Sequence, residues 1–190
     1  MLANEIKNMM PHAPNPRVFD LVKTFNDAKI MEQYGFKPVS KADYAKCLRR
    51  VRYFLAQIAH ESGELRWTKE FGSGAEYDTG KKAIRLGNTP QADGDGQRYK
   101  GRGYIQITGT ANYKAVAKDL HIDCVNHPEL LEQPHYALMS ALWFWKKNNL
   151  NILADKDAFT EVTKRINGGT NGLADRLKWL KEANHWIKTL

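Results

Sequence analysis

Apolar residues recur at helical spacing through most of this chain and almost nowhere at the alternating spacing of a strand. The run Val18, Leu21, Val22, Phe25 starts just after Asn15-Pro16, which reads as an N-cap followed by proline at the first helical position. A longer stripe (Tyr44, Leu48, Val51, Phe54, Leu55, Ile58, Ala59) follows Ser40-Lys-Ala-Asp43, a capping-box pattern with Asp in place of Glu or Gln. It must stop near Ser62-Gly63, because glycine is the commonest helix terminator. Four more helices are predicted. Thr110 caps one that carries Tyr113, Val116, Ala117 and Leu120, and another runs from about Pro134 to Asn148 with Leu138, Ala141, Leu142 and Trp145 inward. A third follows Asp157 with Phe159, Val162 and Ile166, and the last starts near Leu173 and turns Leu177, Leu180, Asn184 and Ile187 to one face. Asn184 sits oddly in that stripe.

Residues 71–103 break the pattern. They hold more than half of the fourteen glycines, with Asp, Asn, Thr and Pro between them. Residues 104–108 then alternate like a short strand. With no strands alternating with the helices, a parallel α/β sheet is excluded. The expected class is mainly α, with a short irregular β element. A long glycine-rich stretch inside a compact domain is usually functional.

A length of 190 residues argues for one domain of one or two lobes, with the helices of residues 1–40 in the same unit. The 42% hydrophobic and 26% charged fractions exclude wholesale disorder. No apolar run is long enough to span a membrane, so no stable insertion is expected. The first residues carry Glu5 and lack an apolar core, so they do not read as a secretory signal. Net charge is +8 and uneven: residues 1–60 and 131–190 are basic, whereas residues 61–130 are balanced. Basic flanks favour a polyanionic partner. Cys47 and Cys124 fit no metal spacing and suit a reducing compartment, with a disulfide between them left open.

Several chemical motifs fail on inspection. His60-Glu-Ser-Gly-Glu64 lacks the second histidine of a zinc motif, and its glycine would break the helix that presents the ligands. Gly74 to Gly80 is misspaced and acidic for a phosphate loop, and Asp93-Gly-Asp-Gly lacks the closing Glu of a calcium loop. No metal and no cofactor are expected. Two acids remain. Glu61 falls on the last turn of the long helix, where the carbonyl end and apolar neighbours (Ile58, Ala59, Trp67) both favour a protonated carboxyl, as a general acid needs. Glu70 lies nine residues on. On one unbroken helix that is roughly 13.5 Å of rise and the opposite face. The Ser62-Gly63 break lets the chain turn back, as a carboxylate pair for glycoside hydrolysis requires.

The downstream segments make the pattern specific. Gly94-Asp-Gly-Gln-Arg-Tyr-Lys-Gly-Arg-Gly-Tyr-Ile-Gln-Ile-Thr-Gly109, then Asn112-Tyr113, then Arg165-Ile-Asn-Gly-Gly-Thr-Asn-Gly-Leu-Ala-Asp-Arg176 resemble the glycoside hydrolase family 19 domain. The likeness is to its bacteriophage and bacterial endolysin branch and covers about residues 50–187. It implies a lysozyme-like helical fold with a cleft between two lobes, and hydrolysis, usually inverting, of β-1,4 bonds between N-acetylated amino sugars. By the same resemblance Glu61 matches the general acid, Glu70 the base, and Thr108 the hydroxyl that helps hold the attacking water. Gln106, Asn112, Tyr113 and Asn167 match sugar-binding residues, Arg176 an arginine near the acid, and His60 the acid's neighbour. Glu64 departs from the glycine of many relatives. It adds a third carboxylate and leaves the base open between Glu70 and Glu64.

The function expected is that of an endolysin: a monomer acting on peptidoglycan glycan strands, made in the cytoplasm and acting on the periplasmic wall after release. A chitinase with the same chemistry is the alternative, and a non-catalytic wall-binding module is the alternative from another class. No nucleic-acid-binding pattern is present. Trp143, Trp145, Trp179 and Trp186 are expected in the core, and Trp67 either in the core or stacked on sugar.

Overall fold

The helices of the computed structural model, which describes residues 1–190, are α1 (Ala3–Met9), α2 (Asn15–Asn26), α3 (Ala28–Gln33), α4 (Lys41–Glu61), α5 (Gly80–Leu86), α6 (Asp95–Arg98), α7 (Thr110–Leu120), α8 (Pro134–Lys147), α9 (Leu150–Asp155), α10 (Phe159–Asn167) and α11 (Leu173–Trp186). Two 3-10 turns, Ala75–Tyr77 and Pro128–Glu132, complete the list. The fold is mainly α, as expected. Its β content is two isolated antiparallel bridges, Lys69 with Arg102 and Arg102 with Ile107. No helix is long and apolar enough to cross a membrane. The chain forms two compact units, residues 1–66 with 144–190, and residues 67–143.

In the first unit α4 is the central element, packed against α11 and α9. Ser40 caps it as expected, its hydroxyl oxygen accepting the Asp43 N–H at 3.2 Å. Asp43 is too short to complete the reciprocal bond to the backbone; instead its carboxylate accepts the Ser40 hydroxyl at 2.8 Å. The N-terminal part of the predicted stripe is half-solvated, with Tyr44 exposed, but from Tyr53 to Ala59 every residue is buried. Phe25, Phe36, Phe54 and Trp145 form one aromatic cluster with centroids 5.4–6.4 Å apart. Such pairs each contribute about 0.5–1.5 kcal/mol beyond their buried area. The two chain ends meet: Glu5 accepts the main-chain N–H of Leu2 at 2.7 Å and of Lys188 at 3.0 Å.

The inward face of α11 differs from the prediction. Ile187 is buried as predicted, but its buried companions are Arg176 and Ala183, whereas Leu177 and Asn184 are exposed. The buried set also has helical spacing, but its first member is an arginine, so a pattern built from apolar residues picks the neighbouring face. Exposing Asn184 removes the anomaly noted above. Trp145 is fully buried, but Trp179 and Trp186 are only half-buried and send their indole N–H groups to Asp175 and Glu182.

In the second unit residues 71–103 are not one loop but short helices and turns organised by two buried polar side chains. Asp78 accepts the N–H groups of Gly94 and Gly96, each at 3.0 Å. Asn88 donates to Tyr77 O and accepts from the Thr110 N–H and hydroxyl, each at 2.8 Å. Thr110 is therefore the first residue of α7 rather than its cap. The strand expected at 104–108 is a tight turn. Arg102 and Ile107 exchange both backbone hydrogen bonds, and Gly103 (φ +80°) and Gln106 (φ +57°) reverse the chain between them. Tyr104, Ile105 and Ile107 are buried while Gln106 and Thr108 are half-buried, so the alternation follows burial within the turn and not the two faces of a strand. Cys47 and Cys124 are free and buried, and burial pushes the Cys124 thiol up to about 11.

Candidate active site

The first unit holds Glu61, His60, Arg176 and Asn167. Glu61 is the last residue of α4, and its Oε1 accepts from Arg176 Nη2 at 2.5 Å. Arg176, with 1% of its side chain exposed, sends Nη1 to Gln57 Oε1 at 2.6 Å. Gln57 in turn donates to the Thr163 hydroxyl at 2.9 Å. Gln57 and Glu61 are four residues apart on one helical face, so a single guanidinium fork spans both. The acid expected among apolar neighbours thus has a buried cation beside it and keeps Oε2 free of any protein donor in that unit.

His60 points elsewhere. Its Nδ1 lies 2.7 Å from Asp175 Oδ2, and its ring packs where a side chain at Gly172 (φ +71°) would stand. Asn167 is exposed at the end of α10, with its amide donating to Asn171 O at 3.1 Å. That bond closes the residue 167–171 loop and leaves its Oδ1 facing solvent.

Glu64, the alternative base, is 6% exposed and occupied at both oxygens. Oε2 accepts the His12 main-chain N–H at 2.9 Å, and Oε1 lies 2.9 Å from His12 Nδ1. Gly63, Glu64 and Leu65 are consecutively left-handed (φ 54°, 63°, 63°). Each of the two non-glycine residues carries about 1–2 kcal/mol of strain there.

The second unit holds Glu70, Gln106, Thr108, Asn112 and Tyr113. Glu70 Oε2 accepts the Tyr77 hydroxyl at 3.1 Å, while Oε1 is buried without a hydrogen-bond partner. Gln106 donates its amide to Gly103 O at 2.8 Å, and its Oε1 is likewise buried and unpartnered. Both side chains converge on Gly101. A Cβ there would stand 2.8 Å from Gln106 Oε1 and 3.2 Å from Glu70 Oε2. Thr108 donates its hydroxyl to Gln106 O at 2.9 Å, and exposed Asn112 donates to Thr108 O at 2.8 Å.

Tyr113 is different. It is fully buried, donating to Lys100 O at 2.8 Å and accepting from Arg102 at 3.0 Å. Burial raises its hydroxyl well above the ordinary phenol range, against the opposing pull of Arg102. The expectation that Tyr113 binds sugar is corrected: it is a core residue of its unit. Pattern reading also missed Gln57, Tyr77, Gly101 and Asp175. Only Gln57, one turn before Glu61, carried a local signal.

The sequence profile of a family described as chitinase class I, glycoside hydrolase family 19, matches residues 23–164. A glycosyl hydrolase family 19 domain-containing protein of Haemophilus influenzae is 34% identical over 167 residues, covering 73% of this chain and 82% of that protein. An endochitinase of Arabidopsis thaliana is 34% identical over 122 residues, covering 64% of this chain. The chain spans only 40% of that endochitinase's length. Among solved structures, a mutant of chitinase C superposes with a TM-score of 0.76 at 20% identity, covering 100% of this chain and 93% of the other. Chitinase C from Streptomyces griseus gives 0.74 at 22%, covering 99% and 76%. At these identities the structures establish the fold. Asn167 and Arg176 lie beyond the matched profile.

Proposed function

Because this chain belongs to glycoside hydrolase family 19 and is a glycoside hydrolase, we propose that it cleaves the β-1,4 bonds of bacterial peptidoglycan between N-acetylmuramic acid and N-acetylglucosamine, with inversion. Glu61 acts as the general acid, giving its proton to the departing glycosidic oxygen while Arg176 holds the carboxyl in place. Glu70 acts as the general base on the attacking water, and Thr108 helps to hold that water. Gln106, Asn112 and Asn167 bind sugar. Support for the base comes from two buried oxygens without a protein donor, Glu70 Oε1 and Gln106 Oε1, on side chains that both approach Gly101. Buried acceptors without protein donors call for a water or a sugar hydroxyl. Support against Glu64 as base is that His12 occupies both its oxygens.

The observation that carries the choice of polymer is where the charge lies. Residues 1–66 and 144–190 hold twenty Lys and Arg against twelve Asp and Glu, and residues 67–143 hold nine against nine. The whole +8 therefore belongs to the unit that carries Glu61. Peptidoglycan bears the free carboxylates of its peptide stems, whereas chitin is neutral and gains nothing from such a surface. A second reading, hydrolysis of chitin, is favoured by the names of the relatives, endochitinase in Arabidopsis and chitinase 4 in rice.

The test compares sugar release from purified sacculi and from colloidal chitin by the parent and Glu61→Gln. Sacculi are expected to be the faster substrate, and the variant to lose about 10²–10⁴-fold on both. Faster cleavage of chitin overturns the choice of polymer, and a Gln variant at the parent rate overturns the acid.

A further inference from the structure

We propose that Glu64 is a positioning residue, locking the end of α4 by clamping the N-terminal segment and so holding Glu61 in its reactive place. The inference rests on the reading of Glu61 as the general acid. Glu61 ends α4, and the chain leaves that helix through three left-handed residues in succession. Glycine suits the first of these positions. Glu64 and Leu65 do not adopt such backbone without something to hold them.

What holds them is drawn mostly from the first seventeen residues. Both Glu64 oxygens are taken by His12, one by its main-chain N–H and one by its ring. The guanidinium of Arg17 donates to the Leu65 carbonyl. His12 is itself fixed, because Lys7 donates to the carbonyls on either side of it, Pro11 O at 2.8 Å and Ala13 O at 2.9 Å. From the helix side, Glu64 N–H closes on Ala59 O at 2.8 Å and Leu65 N–H on the Ser62 hydroxyl oxygen at 2.8 Å.

These bonds form one device. With the clamp in place, the last turn of α4 stays closed and Glu61 stays against Arg176. Without it, Glu64 and Leu65 relax toward right-handed or extended backbone, the Glu64-to-Ala59 bond opens, and the terminal turn that presents Glu61 loses its anchor. Glu64 touches no reacting atom in this scheme. Its effect is on the proton-transfer step, so it lowers kcat and leaves substrate binding alone.

The experiment measures kcat and KM on a soluble glycan fragment of peptidoglycan, together with the melting temperature, for Glu64→Ala, Glu64→Gly, His12→Ala and Glu61→Gln. Alanine removes the clamp and leaves a residue that resists left-handed backbone, so the turn relaxes. Glycine removes the clamp but adopts that backbone without strain. Alanine is expected to lose about tenfold or more in kcat with KM within twofold and to melt lower, and glycine to recover most of both. His12→Ala removes one of the two bonds and is expected to fall between the parent and alanine.

Were Glu64 merely structural, its loss would lower the folded fraction and leave kcat per folded molecule unchanged. Glu64→Ala at the parent kcat, assayed well below its melting temperature, therefore overturns the proposal. If that variant does not fold, His12→Ala decides, and an unchanged kcat there overturns it. Glu61→Gln keeps the two readings apart: an active Gln variant sinks the acid assignment, whereas an inert one beside a fully active Glu64→Ala sinks only the clamp.

Discussion

Arg176 donates to Glu61 at 2.5 Å from a position with 1% of its side chain exposed, so the carboxylate at the end of α4 is held by a cation buried in α11. The same guanidinium reaches Gln57 one turn earlier, which ties the last turn of α4 to α11 at two points.

Arg176→Met is expected to destabilise the protein by about 3 kcal/mol. Removing one partner of a buried pair strands the other, here Glu61 together with the Gln57 carbonyl. Urea unfolding followed by circular dichroism measures it. A change below about 1 kcal/mol would mean that the pair adds little beyond what a well-packed methionine supplies.

Gly101→Ala tests the convergence of Glu70 and Gln106. The Gly101 backbone is not left-handed, so alanine adds no strain of its own, but its Cβ meets Gln106 Oε1 at 2.8 Å and Glu70 Oε2 at 3.2 Å. Both side chains must shift. The expected result is a loss of about tenfold or more in kcat with unfolding free energy changed by no more than about 1 kcal/mol. Parent activity in this variant would show that the two oxygens are not placed for the reaction.

Asp155 offers a pH test. Arg50 grips it with two bonds, Nε to Oδ1 at 2.7 Å and Nη2 to Oδ2 at 2.5 Å, and this hydrogen bonding holds the Asp155 carboxyl below its usual range. Between the folded and unfolded values the native state binds fewer protons than the unfolded one. The stabilisation is therefore complete above the unfolded value near 3.9, and is lost as pH falls through the lower folded value. Asp155→Asn is expected to cost about 1–2 kcal/mol at pH 7. The gap between variant and parent should close below about pH 4. A gap that stays constant down to pH 2 would show that charge plays no part.

The basic unit should make wall attack salt-sensitive. On α11 Lys178 and Lys181 are exposed and make no ion pair, and exposed His185 follows four residues on. Reversing both charges (Lys178→Glu with Lys181→Glu) is expected to slow sacculus hydrolysis at low salt and to leave a soluble oligosaccharide untouched. Added salt should erase the difference, since ions screen exposed charges beyond roughly 8 Å at physiological strength. An equal loss on both substrates would place the effect on catalysis and not on docking.

The capped start of α4 at Ser40, its stop after Glu61 and the buried faces of α2, α7 and α8 were legible, because periodic burial and capping act over one or two turns and leave their mark on adjacent residues. The motifs around Glu61, residues 94–109 and residues 165–176 carried the family. Arg176 was named from a motif, yet its inward orientation was hidden: a buried cation breaks the apolar stripe that locates a helix face. Residues 104–108 read as a strand but form a turn, because alternation of residue types reports which side chains are buried and not which backbone buries them: Ile105 and Ile107 are buried while Gln106 and Thr108 are half-buried within one chain reversal.

Local sequence alone determined the helical class, through spacing and caps that neighbouring residues enforce, and the family motifs singled out Glu61 and Glu70 as candidate acids. The tertiary structure alone decided their surroundings. It gave Glu64 a partner 52 residues earlier, at His12, and closed Tyr113 into a core. It also gathered the basic chain ends into one unit with a net charge of +8. Contacts of that kind depend on how distant segments pack, and local periodicity carries no record of which distant group will fill a hydrogen bond or bury a ring.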